Sequence, residues 1–202
     1  MEKINFKEMT FEERKKWMLY GGFALAGLLL IFYFFSFSYI WNSDYGSEAS
    51  VSGWGYIFAC IGWNFKSPSK VFGELSGPFN IYAKYFVRVL AVFSLVSFLV
   101  LIAFVILNGL NTHKFSKKKE IATNVILYVL SAVFLGCIIV GLTMNASRIL
   151  PRYCGGNPKC SIATLAFFPF FFTLAGAIIH TVFIHKNKED LNNEGSPKET
   201  LN

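Results

Sequence analysis

Charge is scarce in this chain, and over four long windows it is missing. Asp, Glu, Lys and Arg supply 15% of the 202 residues and hydrophobic residues 54%, against about 25% and 45–50% in soluble domains. No residue of those four types occurs in Trp17–Ser43, Val89–His113, Ile121–Ser147 or Ser161–His185. Each window exceeds the roughly 20 residues that cross about 30 Å of hydrocarbon. The runs are continuous rather than alternating, which favours helices over a barrel, because a lone span must close its backbone hydrogen bonds internally. An all-α membrane protein with four transmembrane helices is expected.

Catalytic signatures are missing as well. The chain has no Gly-rich phosphate loop followed by Lys and Ser or Thr, no His-Glu-x-x-His and no Gly-x-Ser-x-Gly. Asp44, Glu48 and Glu74 are scattered, with no His nearby in sequence. A non-enzymatic protein follows, with no catalytic residue, no metal site and no cofactor. No acid or base lies at the middle of a window, so proton-driven transport, which generally needs one facing a pathway, is disfavoured. His180 comes closest, one turn from the end of the fourth window, and is expected to share a hydrogen bond with a neighbouring helix at the interface.

What is present sets the layout. Polar residues precede the first window with no small-residue cleavage pattern after it, so the first helix is expected to be retained. Thr10-Phe11-Glu12-Glu13 reads as a reciprocal capping box, and Trp17 as an interface anchor. Lys and Arg number five before Trp17, four between Asn108 and Glu120 and three after His185, against seven in the other two loops. This bias places both termini in the cytoplasm of a multi-pass protein of the plasma or cell membrane. The expected organisation is a cytoplasmic segment 1–16, a membrane domain 17–185 with outer loops near 41–82 and 146–160 and an inner loop near 109–120, and a disordered cytoplasmic tail 186–202.

Cysteines are few, four in all. Cys154 and Cys160 flank Gly-Gly-Asn-Pro-Lys in the second outer loop, where an oxidising compartment would let them form a disulfide; two unpaired thiols or half of a metal site are the other readings. Cys60 and Cys137 read as packing residues. Gly22 and Ala26, Ala132 and Gly136, and Thr173 and Ala177 have the small-xxx-small spacing that lets helices approach closely, and Asn124, Ser94, Ser97, Ser131 and Thr173 can bond between helices. Pro169 predicts a kink near Leu165–Pro169.

Two groups on the outer side carry the binding expectations. Lys84 and Arg88 share a helical face where the second span begins, and Arg148, Arg152 and Lys159 lie in the other outer loop; snorkelling toward phosphates is the plain reading, and an acidic partner or anionic lipid the sharper one. Charge arranged this way does not suit nucleic acid. The stretch Val51–Phe65, VSGWGYIFACIGWNF, is too apolar for an ordinary loop and too short to span. As a strand it would alternate Trp54, Tyr56, Phe58 and Cys60 against Ile57, Ala59, Ile61 and Trp63. As a helix it would lie in the interface or re-enter it; its glycines with β-branched and aromatic neighbours favour a strand or hairpin in a small outer cap, with Trp54, Tyr56, Phe58 and Trp63 as partner-binding residues.

The layout resembles claudin-like tetraspan proteins. The resemblance rests on Trp41 after the first span, Gly62-Trp63 about twenty residues later, Lys84 and Arg88 at the second span, and Lys117-Lys118-Lys119 before the third. That family usually follows its Gly-Leu-Trp with two cysteines in the first outer loop, whereas Cys60 here precedes Trp63. The resemblance implies non-enzymatic work through outer loops. The functional expectation is therefore a structural or accessory subunit that binds membrane lipids and another membrane protein or its own copies, with no nucleic acid; the alternative is a small transport component for an uncharged or anionic solute.

Overall fold

A computed structural model describes residues 9–42, 47–60, 78–113, 115–146 and 158–193. Among them are helices α1 (Phe11–Phe32), α2 (Gly53–Cys60), α3 (Pro78–His113), α4 (Lys117–Ala146), α5 (Phe167–Lys186) and α6 (Lys188–Asn193), strands β1 (Ser36–Asn42), β2 (Ser47–Ser52) and β3 (Pro158–Ile162), and a 3-10 turn at Thr164–Ala166. Four stretches are long and apolar enough to cross a membrane: Phe11–Phe32, Val89–His113, Lys117–Val140 and Thr164–Lys186. The chain is thus a multi-pass membrane protein built on a four-helix bundle.

The bundle is an up-and-down ring in which α1 packs on α3, α3 on α4, α4 on α5 and α5 on α1. Each helix turns a seam with alternating three- and four-residue steps toward the others. In α3 the buried seam is Leu90, Ser94, Ser97, Leu101, Phe104, Asn108 and Asn111; in α4 it is Glu120, Thr123, Leu127, Leu130, Phe134 and Cys137. Gly22, Ala26 and Leu29 continue the pattern in α1, and Thr173, Ala177 and His180 in α5. This spacing packs helices at shallow crossing angles, with knobs seated between residues of the neighbour. Outside the seam the helices are apolar: Val92, Leu99, Ile106, Ile139, Phe171 and Ile179 are all more than half exposed, as lipid-facing residues are in a bilayer, where burial alone does not drive helices together.

Small seam residues set the approach. A Cβ added to Gly22 would come within 2.8 Å of the Asn108 side chain, and one added to Gly136 within 2.9 Å of the Phe93 ring. Gly22 with Ala26, and Thr173 with Ala177, are buried as the spacing predicts, whereas Ala132 is exposed and only Gly136 of its pair meets a neighbouring helix.

Three expectations about local structure are corrected. The first span does not stay helical up to the outer loop expected near residue 41: α1 ends at Phe32, successive turn bonds carry the chain through Phe35, and β1 begins at Ser36. Its sequence, SFSYIWN, alternates small polar with aromatic residues for much of its length, a strand pattern. The stretch from Gly53 to Cys60 is a helix instead of a strand. The Ser52 hydroxyl accepts from the Gly55 N–H at 3.1 Å in N-cap fashion, and the helix buries Tyr56 and Ile57 together, where a strand would have put them on opposite faces. Pro169 does not interrupt a helix, because α5 starts at Phe167, after the 3-10 turn, and the proline sits in its first turn, where no intrahelical partner is needed for its nitrogen.

The strands form an antiparallel sheet in the order β2-β1-β3, with Ile40 opposite both Ala49 and Cys160. The segment after α1 is thereby tied to the segment before α5. At the other end of the bundle, α6 occupies part of the expected disordered tail, and its Leu191 is buried against Phe115 and Phe183.

Candidate functional site: a buried polar cluster at the terminal end of the bundle

The end of the bundle that carries the start of α1 and the end of α5 holds a concentration of buried polar side chains. Asn108, Asn111, Glu120, Thr123, His180 and Asn187 are each at most 4% exposed. They extend the seams of α3, α4 and α5, so the helical register that buries Leu101, Phe104 and Leu127 also carries amides, a carboxylate and an imidazole inward.

Glu120 is central. Its Oε1 lies 2.5 Å from Nδ1 of His180, and its Oε2 accepts from Asn111 Nδ2 at 3.4 Å. One carboxylate therefore joins α3, α4 and α5. With an imidazolium it is an ion pair, and with a neutral imidazole a hydrogen bond to the ring N–H. In either state a lone Glu120 would be costly so far from water. Oδ1 of Asn111 is buried beside the pair without a partner among the described residues.

The first helix joins through two amides. Asn108 Nδ2 donates to the Leu19 carbonyl at 3.0 Å, directly beside Gly22, which explains the lack of room for a Cβ there. Arg14 Nη1 donates to Asn187 Oδ1 at 2.7 Å, while Asn187 Nδ2 donates to the Phe183 carbonyl at 2.7 Å and closes the end of α5. Below these bonds Phe11, Phe115 and Phe183 form an aromatic triplet with centroids 6.2 to 6.4 Å apart, and Lys15 Nζ lies 5.1 Å from the Phe115 centroid. The Thr10–Glu13 capping box starts α1 beside this cluster, in both its reciprocal bonds.

The opposite end is organised around Tyr33. Its hydroxyl lies 2.5 Å from Ser97 Oγ, and its ring meets Trp54 and Phe98 at 5.8 and 5.9 Å. Trp54 donates its backbone N–H to the Tyr33 carbonyl and packs edge-on to Phe98 at 5.1 Å. This cluster seats α2, and through it the sheet, on α3.

The expected binding residues are distributed differently. Tyr56 is fully buried in the hydrophobic core, and Trp54, in the aromatic cluster, is partly buried against it. Phe58 lies on α2, Lys84 and Arg88 on the extension of α3 before the membrane-length stretch, and Cys160 in β3. Trp63, Arg148, Arg152 and Cys154 lie outside the described residues, so the Cys154–Cys160 pairing does too. Cys137 is buried in the core with a free thiol. His180 does share a hydrogen bond with a neighbouring helix, but from within the bundle. Its partner Glu120 stands one residue before a charge-free window, within the inner loop expected near 109–120. The missed signal was the three-four spacing of Glu120 with Thr123 and Leu127, and of Asn108 and Asn111 with Leu101 and Phe104.

Comparison with protein-family models, curated proteins and solved structures returns no match. Chemically, Glu120 and His180 form an acid–base couple, but the groups around them are helix-locking amides. Among the described residues no three His, Cys, Asp or Glu side chains gather as a metal site would require.

Proposed function

We propose that the chain is a non-enzymatic structural or accessory subunit of a cell membrane, with both termini in the cytoplasm, whose sheet-bearing end is an outer cap that engages another membrane protein or a second copy of the chain. The observation that supports it is how the polar interior is used. Glu120, His180, Asn108, Tyr33, Ser97 and Thr173 all bond within the chain, while Leu29, Leu101, Phe104, Leu127 and Leu130 fill the seams between them. An interior committed to holding four helices leaves partner binding to the surface. At the sheet, β2 and β3 each flank β1, and an edge strand offers backbone groups for pairing with another chain. The claudin-like layout points the same way, toward work done by outer loops.

The test is native mass spectrometry of the full chain released from membranes in lipid discs. A complex of fixed stoichiometry is expected, weakened by Ser50→Lys in β2 while the monomer stays folded. A chain that remains single over a wide concentration range would overturn the reading.

The alternative, a small transport component for an uncharged or anionic solute, draws on Glu120–His180, since ionisable groups inside a membrane bundle often mark pathways. Solute flux in liposomes that Glu120→Gln abolishes without loss of fold would favour it.

A further inference from the structure

A second feature lies on the outside of the terminal end, between α4 and the α5–α6 junction. Lys117, Ile121 and Asn124 form a stripe along α4, and Thr181, Ile184, His185 and Lys188 form the facing stripe. Between them is a groove of about 370 Å³. None of these residues is among the buried polar side chains Asn108, Asn111, Glu120, Thr123, His180 and Asn187. Its composition is graded along the helix axes: Lys117, His185 and Lys188 lie toward the terminal end, and Asn124 and Thr181 lie deeper along the bundle. Lys117 and Asn124 are seven residues apart, or about 10 Å along the helix.

The deeper polar pair is organised. Asn124 Nδ2 donates to Thr181 Oγ1 at 3.0 Å, Tyr128 Oη lies 3.1 Å from the same oxygen, and Thr181 Oγ1 donates to the Ala177 carbonyl at 2.9 Å. Ile121 and Tyr128 on this side are each over 40% exposed, so the groove opens sideways onto the apolar helix surface. Glu189 and Asp190 do not line it.

The geometry points to a binding site for the headgroup of an anionic glycerophospholipid, with its phosphate among Lys117, His185 and Lys188, its glycerol hydroxyl and ester oxygens beside Asn124 and Thr181, and an acyl chain along Ile121 and the helix surface beyond. Three features select this occupant. The groove is cationic toward the terminal end, which suits phosphate. Hydrogen-bonding groups follow two helical turns further along the bundle, in the order in which a lipid presents its ester oxygens below its phosphate. The remaining wall is apolar and open to the bilayer, which a free anion would not use. The site rests on the bundle spanning a membrane, and is separate from the sheet-bearing end invoked for partners.

The test uses the full chain in vesicles, then in a neutral detergent, with phosphatidylglycerol and phosphatidylcholine of matched chains as probes and retained lipid read by native mass spectrometry. Phosphatidylglycerol should be retained preferentially, and K117Q/K188Q should lower that retention by about tenfold or more. Lys186→Gln, a neighbouring cation that does not line the groove, should leave it unchanged. H185A/K188Q gives a second pair that leaves α4 intact, and should reproduce the loss. Equal retention of the two lipids, or an equal loss in Lys186→Gln, would overturn the site while leaving the spanning bundle in place. Inorganic phosphate bound by lipid-free protein as tightly as phosphatidylglycerol would assign the groove to a free anion and overturn the lipid. Failure of the wild-type chain to float with vesicles would remove the spanning reading itself.

Discussion

The two ends of the bundle are closed by different means. At the terminal end, side chains far apart in sequence meet across helices: Glu120 with His180, Asn108 with the Leu19 backbone, Arg14 with Asn187. At the sheet end the chain folds back on itself, and an aromatic cluster of Tyr33, Trp54 and Phe98 seats a short helix and three strands. The first device concentrates its energy in a few desolvated polar pairs, where removing one partner strands the other. The second spreads it over ring contacts, each of which is small. The terminal end should therefore be brittle to single polar substitutions and the sheet end tolerant of them.

The largest effect is expected at Glu120–His180. His180→Leu leaves the carboxylate buried with only the long bond from Asn111, and should lower stability by about 3–5 kcal/mol, read as thermal unfolding in detergent. Glu120→Leu with His180→Leu together should recover most of that loss, because a buried ion pair can often be replaced by apolar residues at little net cost. A double variant no better than the single one would mean that the pair does more than satisfy itself, and would weaken the contrast between the two ends.

Next in size is Gly22→Val. The added Cβ meets the Asn108 side chain at 2.8 Å, so either α1 moves or the bond to Leu19 breaks. A loss of about 1–3 kcal/mol is expected, and Asn108→Ala in the same chain should relieve part of it. The same change at Gly136 meets the ring edge of Phe93, which can rotate, and should cost less. Equal costs at the two glycines would show that the approach of α1 to α3 is no tighter at Asn108 than that of α4 to α3 at Phe93.

The sequence made the spans legible because charge is excluded from lipid-length windows, and that rule depends on composition alone. It marked Gly22 with Ala26 and Thr173 with Ala177 because close helix approach needs small residues at a fixed spacing. It hid Glu120 because a charged residue at a window's edge reads as loop when helices are delimited by charge; only the three-four register, carried past the window, puts it inside. Strand β1 is hidden because SFSYIWN is uncharged and continuous with the first span, although its alternation has period two. Helix α2 departs from the expected strand because Trp, Tyr, Ile and Phe favour strands on average, whereas here Ser52 caps a helix that packs against α3. A tertiary contact outweighed local propensity, and nothing within residues 51–65 could have revealed the surface it packs on.

At the sheet end, Tyr33→Phe removes the hydroxyl bonded to Ser97 but keeps the ring between Trp54 and Phe98. The expected loss is about 1 kcal/mol, with near-native tryptophan fluorescence, because the ring still packs. Tyr33→Ala should cost more and shift that fluorescence. If Tyr33→Phe alone were as damaging as His180→Leu, the sheet end would rest on its polar contact in the manner of the terminal end.

The smallest effect tests the terminal end at its rim. Thr10 accepts from the Glu13 backbone at 3.3 Å, and Glu13 returns to the Thr10 N–H at 2.8 Å, in exposed positions. Thr10→Ala should cost about 0.5–1 kcal/mol, by loss of an N-cap, and its effect should fray the first turn of α1 without reaching His180. Hydrogen exchange separates the two: faster exchange confined to the first turn keeps brittleness in the desolvated core of that end. Faster exchange that spread to α5 would mean that Arg14 and Asn187 transmit the loss of the cap, making the whole terminal end, rim included, one cooperative unit.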